Sequence, residues 1–333
     1  MITAFALLLG AAVTIYFSCE FFVNGVEWVG RKLGVSQTAT GTILAAFGTA
    51  LPESVVTLVA TAFGNSTASK EIGIGAALGG PLALSTVAYG VVGIAMLVTA
   101  RATGQHNNPV VQVDGQRLSR DQAWFLGIFV FKVALGLIAF AIKPWLGLMF
   151  LGAYAIYTWS ELNESGEAEE GDSEPLIFRP RDSDPSLWWA LLQTGIATVV
   201  IFAASRLFVM QLETVGPFLG LAPQVTALLL SPIATELPET MNAVIWVRQK
   251  KERLALANIS GAMMIQATVP TAFGLFFTPW LFDRGLTIAG GVTMLAVILL
   301  WLMFRKGQVR ALRLANVAWL YGVFAVLFVL FVR

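Results

Sequence analysis

The sequence has little charge, one cysteine and one histidine. Only 12% of its 333 residues are charged while 57% are hydrophobic, against roughly 25% charged in an ordinary soluble domain. That excludes a solvated globular enzyme. The single Cys19 allows no internal disulfide, and with only His106 beside it there is no cluster of soft metal ligands, so redox and zinc catalysis are excluded too. A net charge of +1 with no long basic run gives no electrostatic case for nucleic acid. A basic n-region is also missing at the N-terminus, so Met1 to about Gly30 reads as a permanent span and not as a cleaved signal.

What is present is apolar chain. A spanning helix needs about 20 mostly apolar residues, and polar breaks divide the chain into ten such segments, near 2–29, 36–63, 71–100, 122–141, 144–160, 187–213, 222–247, 254–277, 285–304 and 311–332. The segments are continuous and rich in Leu, Ala and Gly, unlike the alternating strands of a barrel. The expected fold is therefore an all-α polytopic membrane protein. Residues 1–160 form a first half of five helices and 187–333 a second, joined by the acidic segment 161–186. From Glu161 to Asp184 it holds nine carboxylates and two arginines, lacks the spaced ligands of an EF-hand, and reads as a flexible polar linker. Val110 to Val113, followed by Asp114-Gly115, reads as a small hairpin, and His106 as a solvated loop residue.

Lys and Arg collect in cytoplasmic loops. With the N-terminus outside, 15 cations face the cytoplasm, only Lys70, Lys143, Arg284 and Arg333 face outward, and Lys132 and Arg206 fall inside spans. The expectation is an integral protein of the cell's inner (plasma) membrane with both termini outside and the linker in the cytoplasm.

The halves repeat a motif. Thr49-Ala-Leu-Pro-Glu53 recurs as Thr235-Glu-Leu-Pro-Glu239, and each is followed by a helix of small residues, with Gly73, Gly75, Gly79 and Gly80 in the first and Ala257, Gly261 and Ala262 in the second. Five helices per half is an odd number, so the second copy enters the membrane from the opposite side, an inverted repeat of the kind secondary transporters use. Glu53 and Glu239 lie within their spans, where an ionisable group costs about 2.5–3.5 kcal/mol or more. Pro52 and Pro238 lack an amide hydrogen and free carbonyls near Phe47, Gly48 and Ala234 to face a cavity. Carbonyls, threonine hydroxyls and carboxylates are hard oxygen ligands, suited to Na⁺, Ca²⁺ or H⁺. The alternative is a kinked helix whose glutamate pairs with Lys132 or Arg206.

Glu236 stands where the first repeat has Ala50. It reads as a further ligand or proton carrier, or else as a glutamate turned to a vestibule. The glycines read as close helix packing. Gln266 offers a neutral carbonyl oxygen on span 8, with Asn258 and Ser260 as further candidates, and Glu20 and Glu27 share a face of span 1 near Arg31.

These motifs resemble the alpha repeats, at about 36–100 and 222–277, of the sodium/calcium exchanger and cation/proton exchanger superfamily, in a divergent prokaryotic-type form. The resemblance implies Glu53 and Glu239 as central cation ligands, Thr49 and Thr235 as hydroxyl or carbonyl ligands, and spans 1 and 6 as the pair that slides against the rest. The departures are Ala50 and Glu236 where the family has serine, Gly80 and Ala262 likewise, and Leu84 and Gln266 at polar or acidic positions. The function it implies is a secondary antiporter exchanging a cation, Ca²⁺ in the first instance, against Na⁺ or H⁺, with no cofactor and with inorganic cations and the lipid bilayer as its partners. A Na⁺/H⁺ or other monovalent or divalent cation exchanger is the runner-up within transport. A membrane-embedded enzyme would need a nucleophile with its base, for which no motif is present, and a non-transporting sensor is the other alternative.

Overall fold

The computed structural model describes residues 1–33, 51–102, 104, 108–164 and 175–332. The described chain is helical apart from two three-residue strands. Helix α1 is Ile2–Lys32, α2 Leu51–Ala62 and α3 Thr67–Ala102; α4 is Gly115–Leu137, α5 Gly147–Glu164 and α6 Leu187–Phe218. Then follow α7 Pro223–Thr235, α8 Leu237–Arg248, α9 Glu252–Phe277, α10 Arg284–Phe304 and α11 Ala311–Phe331. Six of these, α1, α3, α6, α9, α10 and α11, are long and apolar enough to cross a membrane.

In lipid, helices gain no hydrophobic free energy by associating, so close packing of small residues must supply the attraction. Helix α3 meets this demand with glycine: a Cβ at Gly75 would collide with the backbone carbonyl of Gln224 on α7. A Cβ at Gly261, in contrast, would meet nothing within 4 Å among the described residues, so the close-packing expectation holds on α3 and finds no support there. Helix α9 lies at the centre, packed against α3, α4, α5 and α8, and 83% of its most apolar stretch is buried. Helices α1 and α6 run against each other, tied by Gln193 Nε2 donating to Asn24 Oδ1 at 2.9 Å and to the Phe21 carbonyl at 2.8 Å, and by the Lys32–Asp184 ion pair.

Several sequence expectations are revised. Val110–Gln112 forms no local hairpin but pairs antiparallel with Gln308–Arg310. Asp114 is then free to cap α4, accepting the Arg117 amide at 3.0 Å. The end of the segment read as flexible linker is folded: Leu176 is fully buried, and Ile177 and Phe178 donate their amides to Asn24 and Gln193. Span 7 is two helices, parted at Glu236 (φ −103°, ψ −14°), which closes α7 and opens α8. Pro238 accounts for the break, since it cannot donate to the carbonyl four residues back but is tolerated in a first turn. Helix α3 holds a π-helical turn, Leu84–Ala88, in which Thr86 Oγ1 donates to the Leu82 carbonyl at 2.5 Å.

Candidate functional site

The break between α7 and α8 delivers Thr235, Glu236 and Glu239 to the interior, 2%, 3% and 2% exposed, opposite Glu53 of α2 at 1%. Thr235 Oγ1 lies 2.8 Å from Glu53 Oε2 and 2.8 Å from Glu236 Oε1, and 3.2 Å from the Ser231 carbonyl of its own helix. A hydroxyl has one proton to donate, so it cannot satisfy three oxygens. Two carboxylates gathered on one hydroxyl away from water need a cation or a shared proton to balance them. Glu236 is thus buried in the site, not turned to a vestibule.

Across from this pair stands α9. Gln266 Nε2 donates to Glu236 Oε2 at 2.7 Å, while Gln266 Oε1 and Glu53 Oε1 are buried without a hydrogen-bond partner among the described residues. Ser231 Oγ, one turn before Thr235, is likewise buried without a geometric hydrogen-bond partner among the described residues. The reason for Gly80 is visible here: a Cβ on it would stand 2.7 Å from Gln266 Oε1 and 3.1 Å from Glu236 Oε1. The first repeat gives up a side chain so that two from the second can fill the space. All the donors are oxygens, some of them unpaired, which fits a hard cation or a proton. Among the described residues no three His, Cys, Asp or Glu side chains gather into a metal cluster.

The other sequence-predicted residues fall as follows. Phe47 and Thr49 lie outside the described residues, and Ala234 belongs to the last turn of α7. Of the two cations proposed as glutamate partners, Arg206 is exposed on α6 while Lys132 is fully buried, its ammonium donating to the carbonyls of Ala77 at 2.7 Å and Gln266 at 3.3 Å. Ser260 is drawn into a separate cluster, 2.8 Å from the Tyr89 hydroxyl and accepting from Gln122 Nε2 at 3.0 Å. Glu20 is exposed and Glu27 partly buried on α1. Ser231, Tyr89 and Gln122 were not singled out from the sequence. Ser231 had a signal, being one helical turn before Thr235 on the face that carries the motif.

The sequence matches the family described as sodium/calcium exchanger protein over residues 3–162 and 189–332. The chain belongs to that family. Inner membrane protein YrbG of Escherichia coli is 24% identical over 325 residues, 90% of each chain. Among solved structures, the H⁺/Ca²⁺ exchanger CAX superposes with a TM-score of 0.75 at 16% identity, covering 98% of this chain and 82% of CAX. The sodium-calcium exchanger NCX_Mj superposes at 0.59 with 21% identity and 97% of both chains covered. This sodium/calcium exchanger family member therefore shares an all-helical membrane fold with solved exchangers, and its family works on inorganic cations as cargo, with no cofactor required.

Proposed function

We propose that this protein is a secondary cation antiporter that exchanges Ca²⁺ against Na⁺ or H⁺ by alternating access at the buried site of Glu53, Thr235, Glu236, Glu239 and Gln266. The observation that carries this reading is the Thr235 hydroxyl held 2.8 Å from both the Glu53 and Glu236 carboxylates. Such a site binds a cation or a proton but cannot hold two full sets of charge, and a carrier that changes face only when neutralised must exchange one for the other. The reading includes ten spans in two inverted halves, with α7 and α8 counted as one broken span. It also includes oxygen ligands from the approach to Glu53, the Phe47 carbonyl and the Thr49 hydroxyl or carbonyl, and the Ala234 carbonyl on α7. It further includes both termini outside the inner membrane and residue 172 in the cytoplasm, a reading the 15 to 4 partition of Lys and Arg supports.

Flux in reconstituted vesicles tests the exchange: Ca²⁺ uptake should be driven by an opposed Na⁺ or H⁺ gradient and vanish when the gradient is collapsed. Uptake indifferent to every opposed gradient would reject antiport. Monovalent exchange alone is the second reading, favoured by Leu84 and Gln266 at positions where a divalent cation would be served better by charged or polar groups. The same vesicles separate it, because Na⁺/H⁺ exchange would then proceed with no Ca²⁺ flux. For orientation, a single cysteine at position 172 in a Cys19→Ala background should be labelled only from the cytoplasmic side.

A further inference from the structure

In a helix each carbonyl accepts the amide four residues on, and a proline at that place leaves it without its donor. Pro81 stands inside α3 and Pro270 inside α9, both in buried stretches. The carbonyls they free are those of Ala77 and Gln266. At membrane depth an unsatisfied carbonyl costs several kcal/mol, and both turn to one group, the Lys132 ammonium of α4, at 2.7 and 3.3 Å. The faces of Phe129 and Trp280 flank that ammonium, with ring centroids 5.4 and 5.9 Å away, inside the range at which a ring attracts a cation. Trp280 is held in place by its Nε1, which donates to the Lys132 carbonyl at 3.2 Å. The residue whose backbone Lys132 holds, Gln266, donates its side chain to Glu236 at 2.7 Å. The ammonium and the paired carboxylates are parts of one polar centre.

Two neutral oxygens opened by prolines and backed by ring faces are the surroundings of a monovalent cation. We propose that the Ala77 and Gln266 carbonyls form a monovalent-cation site at the centre of the bundle and that Lys132 fills it as a tethered cation. The protonated tether supplies one positive charge that a free ion would otherwise have to bring to the Glu53 and Glu236 carboxylates. Fewer ions then bind per cycle, and the charge moved per turnover is set by the lysine. The transport consequence rests on the antiport reading above; occupation of the carbonyl pair does not.

The test removes the tether and offers a free cation. Lys132→Ala and Lys132→Met, as full chains in detergent, are melted in the chlorides of choline, Na⁺, K⁺ and methylammonium at equal ionic strength. The wild type should be indifferent to the salt. The variants should melt several degrees lower in choline and recover in Na⁺, K⁺ or methylammonium, the response of a protein that binds a ligand only when folded. Adding Pro81→Ala and Pro270→Ala to Lys132→Ala restores both helical amide donors and should abolish the recovery. The inference is overturned if both lysine variants melt alike in all four salts, if neither folds in any of them, or if the recovery survives the proline replacements. In vesicles the net charge carried per Ca²⁺ should differ by one between the wild type and Lys132→Ala. Wild-type vesicles without exchange would reject antiport and leave the melting result standing, whereas exchange with salt-blind melting would reject this inference alone.

Discussion

On the first repeat the described cluster is one carboxylate, Glu53, beside a helix that at Gly80 presents no side chain; on the second it is the Glu236 carboxylate, a threonine hydroxyl and a glutamine amide, with Glu239 buried in the first turn of α8. The halves carry the same Thr-x-Leu-Pro-Glu motif but divide the labour unequally. Where α3 retreats to glycine, Gln266 and Glu236 reach over from α9 and the α7–α8 break. An inverted repeat fixes where two half-sites meet, and substitutions within it decide which half supplies the donors. The hydrogen bonds of the described cluster are therefore not symmetric about the two motif glutamates. The joined carboxylates are Glu53 and Glu236, and the threonine between them belongs to the second half.

The largest effect should come from the single donor of the poorer half. Glu53→Gln keeps the shape and removes the only first-repeat carboxylate in the described site, and exchange in vesicles should fall about a hundredfold or more, the scale of breaking a buried charged contact. Glu239→Gln should also be severe. Wild-type exchange in either variant would end the assignment of that residue to the site. Next comes the bridge: Thr235→Val preserves volume and deletes the hydroxyl shared by Glu53 and Glu236. Loss of a hydrogen bond to a charged group is worth about 1.5–3 kcal/mol, so cation affinity by calorimetry should weaken about tenfold to a hundredfold, with Thr235→Ser near wild type. Equal losses in the two variants would mean that the methyl group and not the hydroxyl matters.

The asymmetry can be sharpened by making one change in both repeats. Gly80→Ala places a Cβ 2.7 Å from Gln266 Oε1, whereas Gly261→Ala meets nothing within 4 Å among the described residues. Overpacking costs about 1–3 kcal/mol, and a helical Gly→Ala in free space gains about 0.5–1 kcal/mol. Gly80→Ala should lower both melting temperature and exchange, and Gly261→Ala should raise the first without touching the second. Parallel behaviour would remove the claim that the second repeat occupies space vacated by the first.

Much of this was legible from the chain. Apolar runs located the described helices, six of them long and apolar enough to span, because span length is dictated by bilayer thickness, although α4 starts at Gly115 and not at 122 and the expected start of span 2 lies outside the described residues. Pro238 announced the break in span 7, and Glu53, Thr235, Glu236 and Gln266 were each marked by sitting polar in apolar surroundings. Relations across the bundle were not legible. Nothing local tells that Val110–Gln112 finds its strand partner at Gln308–Arg310, or that Gly75 faces a carbonyl while Gly261 meets no described residue. Pro81 and Pro270 each foretell a carbonyl without a donor, yet the donor, Lys132, sits on a third helix. Sequence shows which groups need a partner; the packing of α3, α4 and α9 decides who it is.

The smallest expected effect compares two helix starts, one in each half. Helix α3 is capped by Ser66, whose hydroxyl accepts the Ser69 amide at 2.9 Å, and α10 by Asp283, whose carboxylate accepts the Leu286 amide at 2.7 Å. The caps are alike in geometry, but only Asp283 titrates. Burial pushes its carboxyl above the ordinary 3.8, opposed by the Leu286 and Gly285 amides. In the window between 3.8 and the folded value the folded protein holds more protons than the unfolded chain. Its contribution to stability is then full below that window and lost as pH rises through it. Asp283→Asn keeps an oxygen for the cap and removes the titration. Melting temperatures taken from about pH 4 to 7 should therefore decline less with rising pH in Asp283→Asn than in the wild type, while Ser66→Ala, which loses a cap worth about 1 kcal/mol together with the hydroxyl bonded to the Glu213 carboxylate, should melt lower than the wild type. Identical slopes in Asp283→Asn and wild type would mean that solvent reaches the Asp283 carboxylate well enough to cancel the effect of its burial.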